Sequence, residues 1–278
     1  MISRETGVID WSKSAREISK LICGMNSWPL ACTKYKDGIL KIVSARVCDE
    51  NSDKEAGEIL ALEKGKVKNV TLNIKDALIL DKVNLSVEKG SICGLVGRNG
   101  SGKTMLMKCI CGFIPVTEGE ILVNNQKVGV KDKFAENLGF IIETPGFMPN
   151  YTAYKNLEFL SSINSKVNKQ RIREVIELVG LDPDSKKKVG KFSLGMNQRL
   201  GLAQAIIDNP DLLILDEPFN GLDNDGVKQI RKLLLTLKEQ GKTIIMASHT
   251  KEDINILCDR VCFMDNGRLI LGTNKENE

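Results

Sequence analysis

The sequence predicts an α/β fold interrupted by a helical insertion, with a short α+β segment in front of it. Three observations predict this. From about Val67 short apolar runs alternate with helical periods, the pattern of βαβ units. One such run opens directly into a glycine-rich turn and a helix. Between Phe147 and Asn209 the strand signal stops while helical periods continue.

In chain order, Trp11, Ala15, Ile18 and Ile22 recur at helical spacing behind Asp10, an expected N-cap, and Gly24 can end that helix. After Trp28-Pro29 comes a strand-like run at 39–43, then a polar stretch at 49–55 that reads as a loop. A composition shift at Glu63-Lys64-Gly65-Lys66 places the domain boundary, giving segments 1–64 and 65–278. Residues 91–96 form an apolar strand, and the helix opening at Lys103 is closed by Gly112. The helical subdomain is expected over 147–209, with helices at 156–163, 170–179 and 196–207. Strands return at 211–215 and 243–247 with an amphipathic helix, 227–240, between them. Asp265-Asn266-Gly267 marks a closing hairpin, because Asn-Gly accepts the positive φ that a tight turn needs.

Composition narrows the function classes. The chain has 278 residues, 42% of them apolar, enough for a sizeable core. Forty Lys+Arg against 36 Asp+Glu leave +4, too balanced to announce a nucleic-acid or membrane-surface protein by charge. Eight cysteines without a C-x-x-C pair, beside one histidine, do not suggest a structural zinc site. Several stand inside apolar runs, as in Ser91-Ile92-Cys93-Gly94-Leu95 and Val261-Cys262-Phe263, and read as small buried hydrophobes kept reduced in a cytosol. Arg4, Glu5, Asp10, Lys13, Arg16 and Glu17 break any signal-peptide core, and no apolar run approaches the ~18 residues of a membrane span. The expectation is a chain that by itself neither leaves the cytoplasm nor crosses a membrane.

Gly97-Arg98-Asn99-Gly100-Ser101-Gly102-Lys103-Thr104 matches G-x-x-x-x-G-K-[ST] after a strand and at the start of a helix, the context that confirms a P-loop. Its glycines let backbone N–H groups face phosphate oxygens, and the helix N-terminus adds positive potential. Lys103 is expected to reach the β- and γ-phosphates of ATP, and the Thr104 hydroxyl to take Mg²⁺. The plainer alternative is a glycine-rich turn with a solvated lysine. Leu212-Leu213-Ile214-Leu215-Asp216-Glu217 is a buried strand ending in two acids, which phosphoryl transfer needs for a metal ligand, Asp216, and a general base, Glu217. The alternative is a pair of acids capping the turn before Pro218.

Phe192-Ser193-Leu194-Gly195-Met196-Asn197-Gln198-Arg199 resembles the signature sequence of ABC ATPases. The resemblance covers about 67–272 and implies a nucleotide-binding domain with a P-loop core and a helical subdomain. It also implies that Ser193 and Gly195 contact the γ-phosphate held by an opposite subunit, so that a second nucleotide-binding domain, identical or not, completes two ATP sites. Gly221-Leu222-Asp223 resembles the family's D-loop, which brings Asp223 into the site, and Ser248-His249 resembles its switch histidine, which makes His249 catalytic beside Glu217 and Lys103.

Two departures from the family pattern stand out. Counting back from the P-loop, the position that usually stacks an aromatic on adenine falls near Ile74, which loses base stacking of roughly 1–3 kcal/mol. Glu143, in Ile141-Ile142-Glu143-Thr144-Pro145-Gly146-Phe147, replaces the usual Q-loop glutamine. Together with Asn150-Tyr151-Thr152-Ala153-Tyr154-Lys155-Asn156-Leu157, it is similar to the ATPases of bacitracin-resistance and lantibiotic-immunity exporters. Glu143 is expected beside Mg²⁺, coupling nucleotide state to the transporter.

Asp10-Trp11-Ser12-Lys13-Ser14-Ala15-Arg16-Glu17-Ile18, Gly24-Met25-Asn26-Ser27-Trp28-Pro29-Leu30 and Leu40-Lys41-Ile42 resemble the start of the OB-like C-terminal domain of methionyl-tRNA formyltransferase, to about Leu60. Residues 11–46 hold seven Lys+Arg against two acids, as a tRNA-contacting surface requires. Half a barrel leaves open sheet edges, so a remnant of a gene fusion is the favoured reading.

The resemblance implies an ATP-hydrolysing subunit peripheral on the inner face of the cell membrane, with a separate permease as partner and antimicrobial peptides or related compounds as cargo. The rival is a soluble ABC ATPase acting on the ribosome or nucleic acid. Such proteins usually carry two tandem nucleotide domains or long coiled coils, whereas this chain has one P-loop and no sustained heptads, so a nucleic-acid partner is not expected.

Overall fold

The computed structural model describes residues 8–24, 31–35, 38–42, 63–130, 134–164 and 168–271. Two compact units divide the chain, Met1–Ala61 and Leu62–Glu278.

In the first unit, helix α1 (Ala15–Gly24) precedes an antiparallel pair, β1 (Ala31–Tyr35) and β2 (Gly38–Ile42). Ile9, Ile22 and Ala31 are buried, with Trp11, Ile18, Leu21 and Ile42 packed against them, and Trp11 Nε1 donates to Thr33 Oγ1 at 2.9 Å. The helix starts later than the expected cap at Asp10. Ser14 and Glu17 make a reciprocal capping box, with the Ser14 N–H donating to Glu17 Oε2 at 3.1 Å and the Glu17 N–H to Ser14 Oγ at 3.4 Å. Asp10 instead closes the turn before it, accepting from the Ser12 N–H at 3.1 Å and the Ser12 hydroxyl at 2.7 Å. The strand-like run at 39–43 falls on β2, and the loop expected at 49–55 lies outside the described residues.

The second unit holds two sheets. β3 (Glu63–Ile74), β4 (Ala77–Glu88), β6 (Glu118–Val123) and β7 (Gln126–Lys127) form an antiparallel sheet in the order β4-β3-β6-β7. β5 (Ile92–Val96), β8 (Leu138–Ile141), β9 (Leu212–Asp216), β10 (Thr243–Ala247), β11 (Arg260–Asp265) and β12 (Arg268–Leu271) form the other, in the order β12-β11-β5-β10-β9-β8. All its pairings are parallel except β11 with β12.

Adjacent residues of the parallel strands face opposite layers, and both layers are covered, so the strands read as unbroken apolar runs. Leu212, Ile214, Ile245 and Leu95 join α2 (Lys103–Cys111) and the antiparallel sheet in one core. Leu213, Leu215, Ile244 and Met246 join the helices of the other face. Those are α3 (Ala153–Asn164), α4 (Lys169–Leu178), α5 (Leu194–Ile206), α6 (Asn224–Glu239) and α7 (Lys251–Leu257). Each fully buried Leu or Ile contributes roughly 1.5–3 kcal/mol.

Helices α3 to α5 occupy the insertion, each within a few residues of its expected span. Asn168 caps α4 by accepting the Arg171 N–H at 2.8 Å, and the Arg171 guanidinium donates to the Ile206 and Ile207 carbonyls at the end of α5. Cys93, Cys109, Cys111, Cys258 and Cys262 are buried and not in disulfides, and burial pushes the Cys109 and Cys111 thiols up to about 12. No helix among the described residues is long and apolar enough to cross a membrane.

Candidate functional site

β5 ends at Val96 in the middle of the parallel sheet, and the loop 97–102 carries the chain from strand to helix α2. Gly102 holds φ +107°, a conformation closed to other residues, and a Cβ on Gly97 would stand 2.1 Å from the Met264 carbonyl oxygen. The glycines are therefore demanded by shape before any phosphate is considered. The hairpin turn between β11 and β12 braces this loop. Asn266 and Gly267 both take positive φ, the Gly267 N–H donates to the Ser101 carbonyl at 3.0 Å, and the Asp81 N–H donates to Gly267 at 2.9 Å.

Lys103 is buried at 6% exposure, and its ammonium donates to the Gly97 and Arg98 carbonyls at 2.7 and 3.1 Å. These bonds hold the charge inside the loop, where an incoming phosphate would compete for it. Thr104 Oγ1 donates to Asp216 Oδ2 at 2.7 Å, so a hydroxyl from α2 meets a carboxylate from the end of β9. That pair is the oxygen donor set that Mg²⁺ takes when it binds through one carboxylate plus substrate phosphates. Among the described residues no group of three or more His, Cys, Asp or Glu surrounds a metal position.

Glu217 follows at φ +50°, in the left-handed region, with its N–H donating to the Ala247 carbonyl at 3.1 Å and its own carbonyl accepting from Gln198 Nε2 at 3.1 Å. Burial pushes its carboxyl above the ordinary glutamate value, Asp216 adds to the rise, and His249 and Lys103 oppose it. His249 Nε2 lies 3.1 Å from Glu217 Oε1, but in a geometry short of a hydrogen bond, which leaves that solvent-shielded oxygen without a donor.

Asn99, Gly100, Gly102, Lys103, Thr104, Glu143, Asp216, Glu217 and His249 line one cavity of about 510 Å³, within the ~300–1,000 Å³ of small-molecule sites. Gly97, Arg98 and Ser101 support the loop from outside that lining.

Glu143 reaches the cavity from the end of β8 at φ +61°, but its Oε1 lies 2.7 Å from Lys108 Nζ. The extra negative charge expected beside Mg²⁺ is thus already paired with a lysine of α2.

Ile74 is not in the lining. It sits at the end of β3, 41% exposed, ahead of the Lys75-Asp76 turn, whereas Ile79, on the returning strand β4, lines the cavity. Counting along the chain misses this because the β3–β4 hairpin doubles back, and the Asp81–Gly267–Ser101 bonding and the Asp81–Arg268 pair help hold β4 at the loop. Gln198 and Asn197, also in the lining, sit inside the signature stretch but attracted no role from sequence.

Ser193, Gly195 and Asp223 line a separate cavity with Arg199 and Gly221. Ser193 caps α5 by accepting the Met196 N–H at 3.2 Å, and Asp223 caps α6 by accepting the Gly226 N–H at 2.9 Å. Within one chain, then, these three residues do not share a cavity with the phosphate loop.

A family model described as ABC transporter matches residues 80–220, and one described as formyl transferase, C-terminal domain, matches residues 1–91. The second runs past Leu60 into β3 and β4, where β3 pairs with both β4 and β6. The chain is 45% identical over 204 residues to the uncharacterized ABC transporter ATP-binding protein YybJ of Bacillus subtilis, covering 73% of this chain and 94% of that one. It is 40% identical over 212 residues to the bacitracin transport ATP-binding protein BcrA of Enterococcus faecalis, covering 75% and 68%. It is 36% identical over 206 residues to the lantibiotic transport ATP-binding protein SrtF of Streptococcus pyogenes, covering 74% and 89%. The dimeric, ADP- and phosphate-bound ATP-binding cassette MJ0796 shares the fold at a TM-score of 0.68 and 23% identity, over 77% of this chain and 100% of that one.

Proposed function

The chain belongs to the ABC transporter family of ATP-binding subunits, ATPases that power transport, and on that premise we propose that it drives an exporter of antimicrobial peptides or related compounds through a separate membrane permease. The observation that carries the ATPase chemistry is the single cavity joining Lys103, Thr104, Asp216, Glu217 and His249, with one buried Glu217 oxygen lacking a donor.

Mg²⁺ would supply neutralisation of phosphate charge at this site. Thr104 and Asp216 would hold it, and Lys103 exchanges the Gly97 and Arg98 carbonyls for phosphate oxygens. Glu217 takes the proton of the attacking water through its donorless oxygen, and its burial-raised pKa makes it a better base than an exposed glutamate. His249, 3.1 Å from that oxygen, would stabilise charge on the transferring group.

Because Ser193, Gly195 and Asp223 face a different cavity, they would act on nucleotide held by a second copy or a sister subunit. The cargo reading rests on the resemblance to BcrA and SrtF together with Glu143 and its flanks. Three exposed rings, with Phe113 meeting Phe140 at 4.9 Å and Phe134 at 6.0 Å between centroids, form an apolar patch suited to the permease. Residues 1–64 are read as a fusion remnant ahead of the catalytic domain.

Affinity capture from solubilised membranes identifies the permease, and co-expression of the pair in a bacitracin- and lantibiotic-sensitive host should raise resistance. Glu143→Ala should abolish that resistance while the isolated subunit still binds ATP, and Glu143→Gln should retain part of it. Unchanged sensitivity with both subunits assembled in the membrane rules out the cargo class, and full resistance with Glu143→Ala removes the coupling role.

A further inference from the structure

A carboxylate removed from water must be matched by charge or hydrogen bonds, and what matches it tells what it organises. Asp253, in the first turn of α7, is 2% exposed. Its Oδ1 takes two bonds from the Arg231 guanidinium of α6, Nε at 2.7 Å and an Nη2 contact at 2.6 Å, while Arg231 Nη1 reaches Glu252 at 3.0 Å. That fork would suffice to join two helices. The other oxygen does something else: Asp253 Oδ2 accepts the hydroxyl of Ser248, itself 2% exposed, at 3.3 Å. Ser248 Oγ in turn accepts the Thr250 N–H at 3.2 Å.

Ser248 and Thr250 are the two neighbours of His249, whose own side chain is 49% exposed. The residue is therefore held from its flanks, by a closed turn hung on a buried anion that Arg231 fixes in direction. We propose that Asp253 is a positioning residue for His249, acting through Ser248 and anchored by Arg231. It sets the distance between His249 and Glu217 without touching nucleotide. This rests on the hydrolytic roles given above to Glu217 and His249.

Ser248→Ala cuts the link while leaving the Asp253–Arg231 pair intact, so it tests the idea without exposing a buried charge. ATP turnover by the purified full chain should fall about ten- to hundredfold, the usual loss when an outer partner of a functional side chain is removed. KM for ATP should stay within about twofold and the Tm within a few degrees, since neither nucleotide contacts nor core packing change. Ser248→Thr, which keeps the hydroxyl, should restore most of the turnover, and Asp253→Asn should resemble Ser248→Ala. In a His249→Ala background, Ser248→Ala should cost nothing more, because the group it positions is gone. Wild-type turnover in Ser248→Ala, or a loss that adds in full to that of His249→Ala, overturns the proposal. Wild-type turnover in His249→Ala alone has a different meaning: it removes the hydrolytic role of His249 and the proposal with it.

Discussion

At Glu217 the backbone takes φ +50° and the carboxylate loses solvent, two costs that a side chain chosen for stability alone would avoid. Its folded pKa lies above the ordinary glutamate value, so ionisation is disfavoured in the fold. The resulting penalty is absent below about pH 4.3, the unfolded value, and complete once pH exceeds the raised one. Glu217→Gln should therefore raise the Tm of the nucleotide-free protein at pH 7, with the gain shrinking as pH falls toward 4. The same variant should keep ATP binding and lose about 10²–10⁴-fold in turnover, the usual worth of a positioned general base. Thermal melts at two pH values and a phosphate-release assay check both halves, and near-normal hydrolysis removes Glu217 from the role. A second residue test separates the two isoleucines. If the base lies against Ile79, Ile79→Tyr adds stacking of roughly 1–3 kcal/mol and tightens ATP binding, whereas Ile74→Tyr, outside the cavity, leaves the Kd unchanged in a titration.

At the scale of elements, close approaches rather than propensities set the framework around the site. Strand β8 lies against α5 so tightly that a Cβ on Gly139 would stand 1.9 Å from the Ala205 carbonyl oxygen. Backbone atoms on both sides cannot yield cheaply, so Gly139→Ala should cost at least the 1–3 kcal/mol of core overpacking, or about 2–4 °C of Tm per kcal/mol at this size. Because β8 delivers Glu143, the cost should appear in nucleotide-dependent coupling as well as in a thermal melt, and an unchanged Tm would show that the two elements part easily. This contact also marks what sequence could convey. The loop at 97–104, the strand ending in Asp216-Glu217, the Asn266-Gly267 hairpin and the helical insertion were all legible, because each depends on local rules of turn, cap and period. The antiparallel sheet of β3, β4, β6 and β7 went unseen as a separate layer, although Val83-Asn84-Leu85-Ser86-Val87 alternates as such a strand should. That Ile79 rather than Ile74 lines the cavity, and the Lys108–Glu143 pair, were not legible. Both arise from pairings between residues far apart in sequence, which no window along the chain can register.

For the molecule as a whole, the question is what the first unit contributes to the second. Every described residue lining the cavity at the phosphate loop lies between Ile79 and His249, and both large cores draw their described buried residues from Val67 onward. The first unit has its own small core of Ile9, Ile22 and Ala31. Among the described residues, then, the first unit supplies none of the cavity lining and none of the buried residues of those two cores. Where the chain is cut matters. β3 begins at Glu63, paired with Glu88, and removal through residue 64 would shorten the longest ladder of the antiparallel sheet. That ladder brings β4, and with it Ile79, to the phosphate loop, so a cut before Leu62 is the clean one. A chain starting at Leu62 should hydrolyse ATP within a few-fold of the full-length rate and bind nucleotide with the same Kd. A chain starting at Val67 should bind ATP more weakly, because the end of the β3–β4 pairing is lost. Steady-state ATPase rates and melting curves on the two truncations separate the outcomes. Should the Leu62 chain fold with the full-length Tm yet lose activity, the first unit regulates the ATPase and cannot be the inert remnant of a fusion.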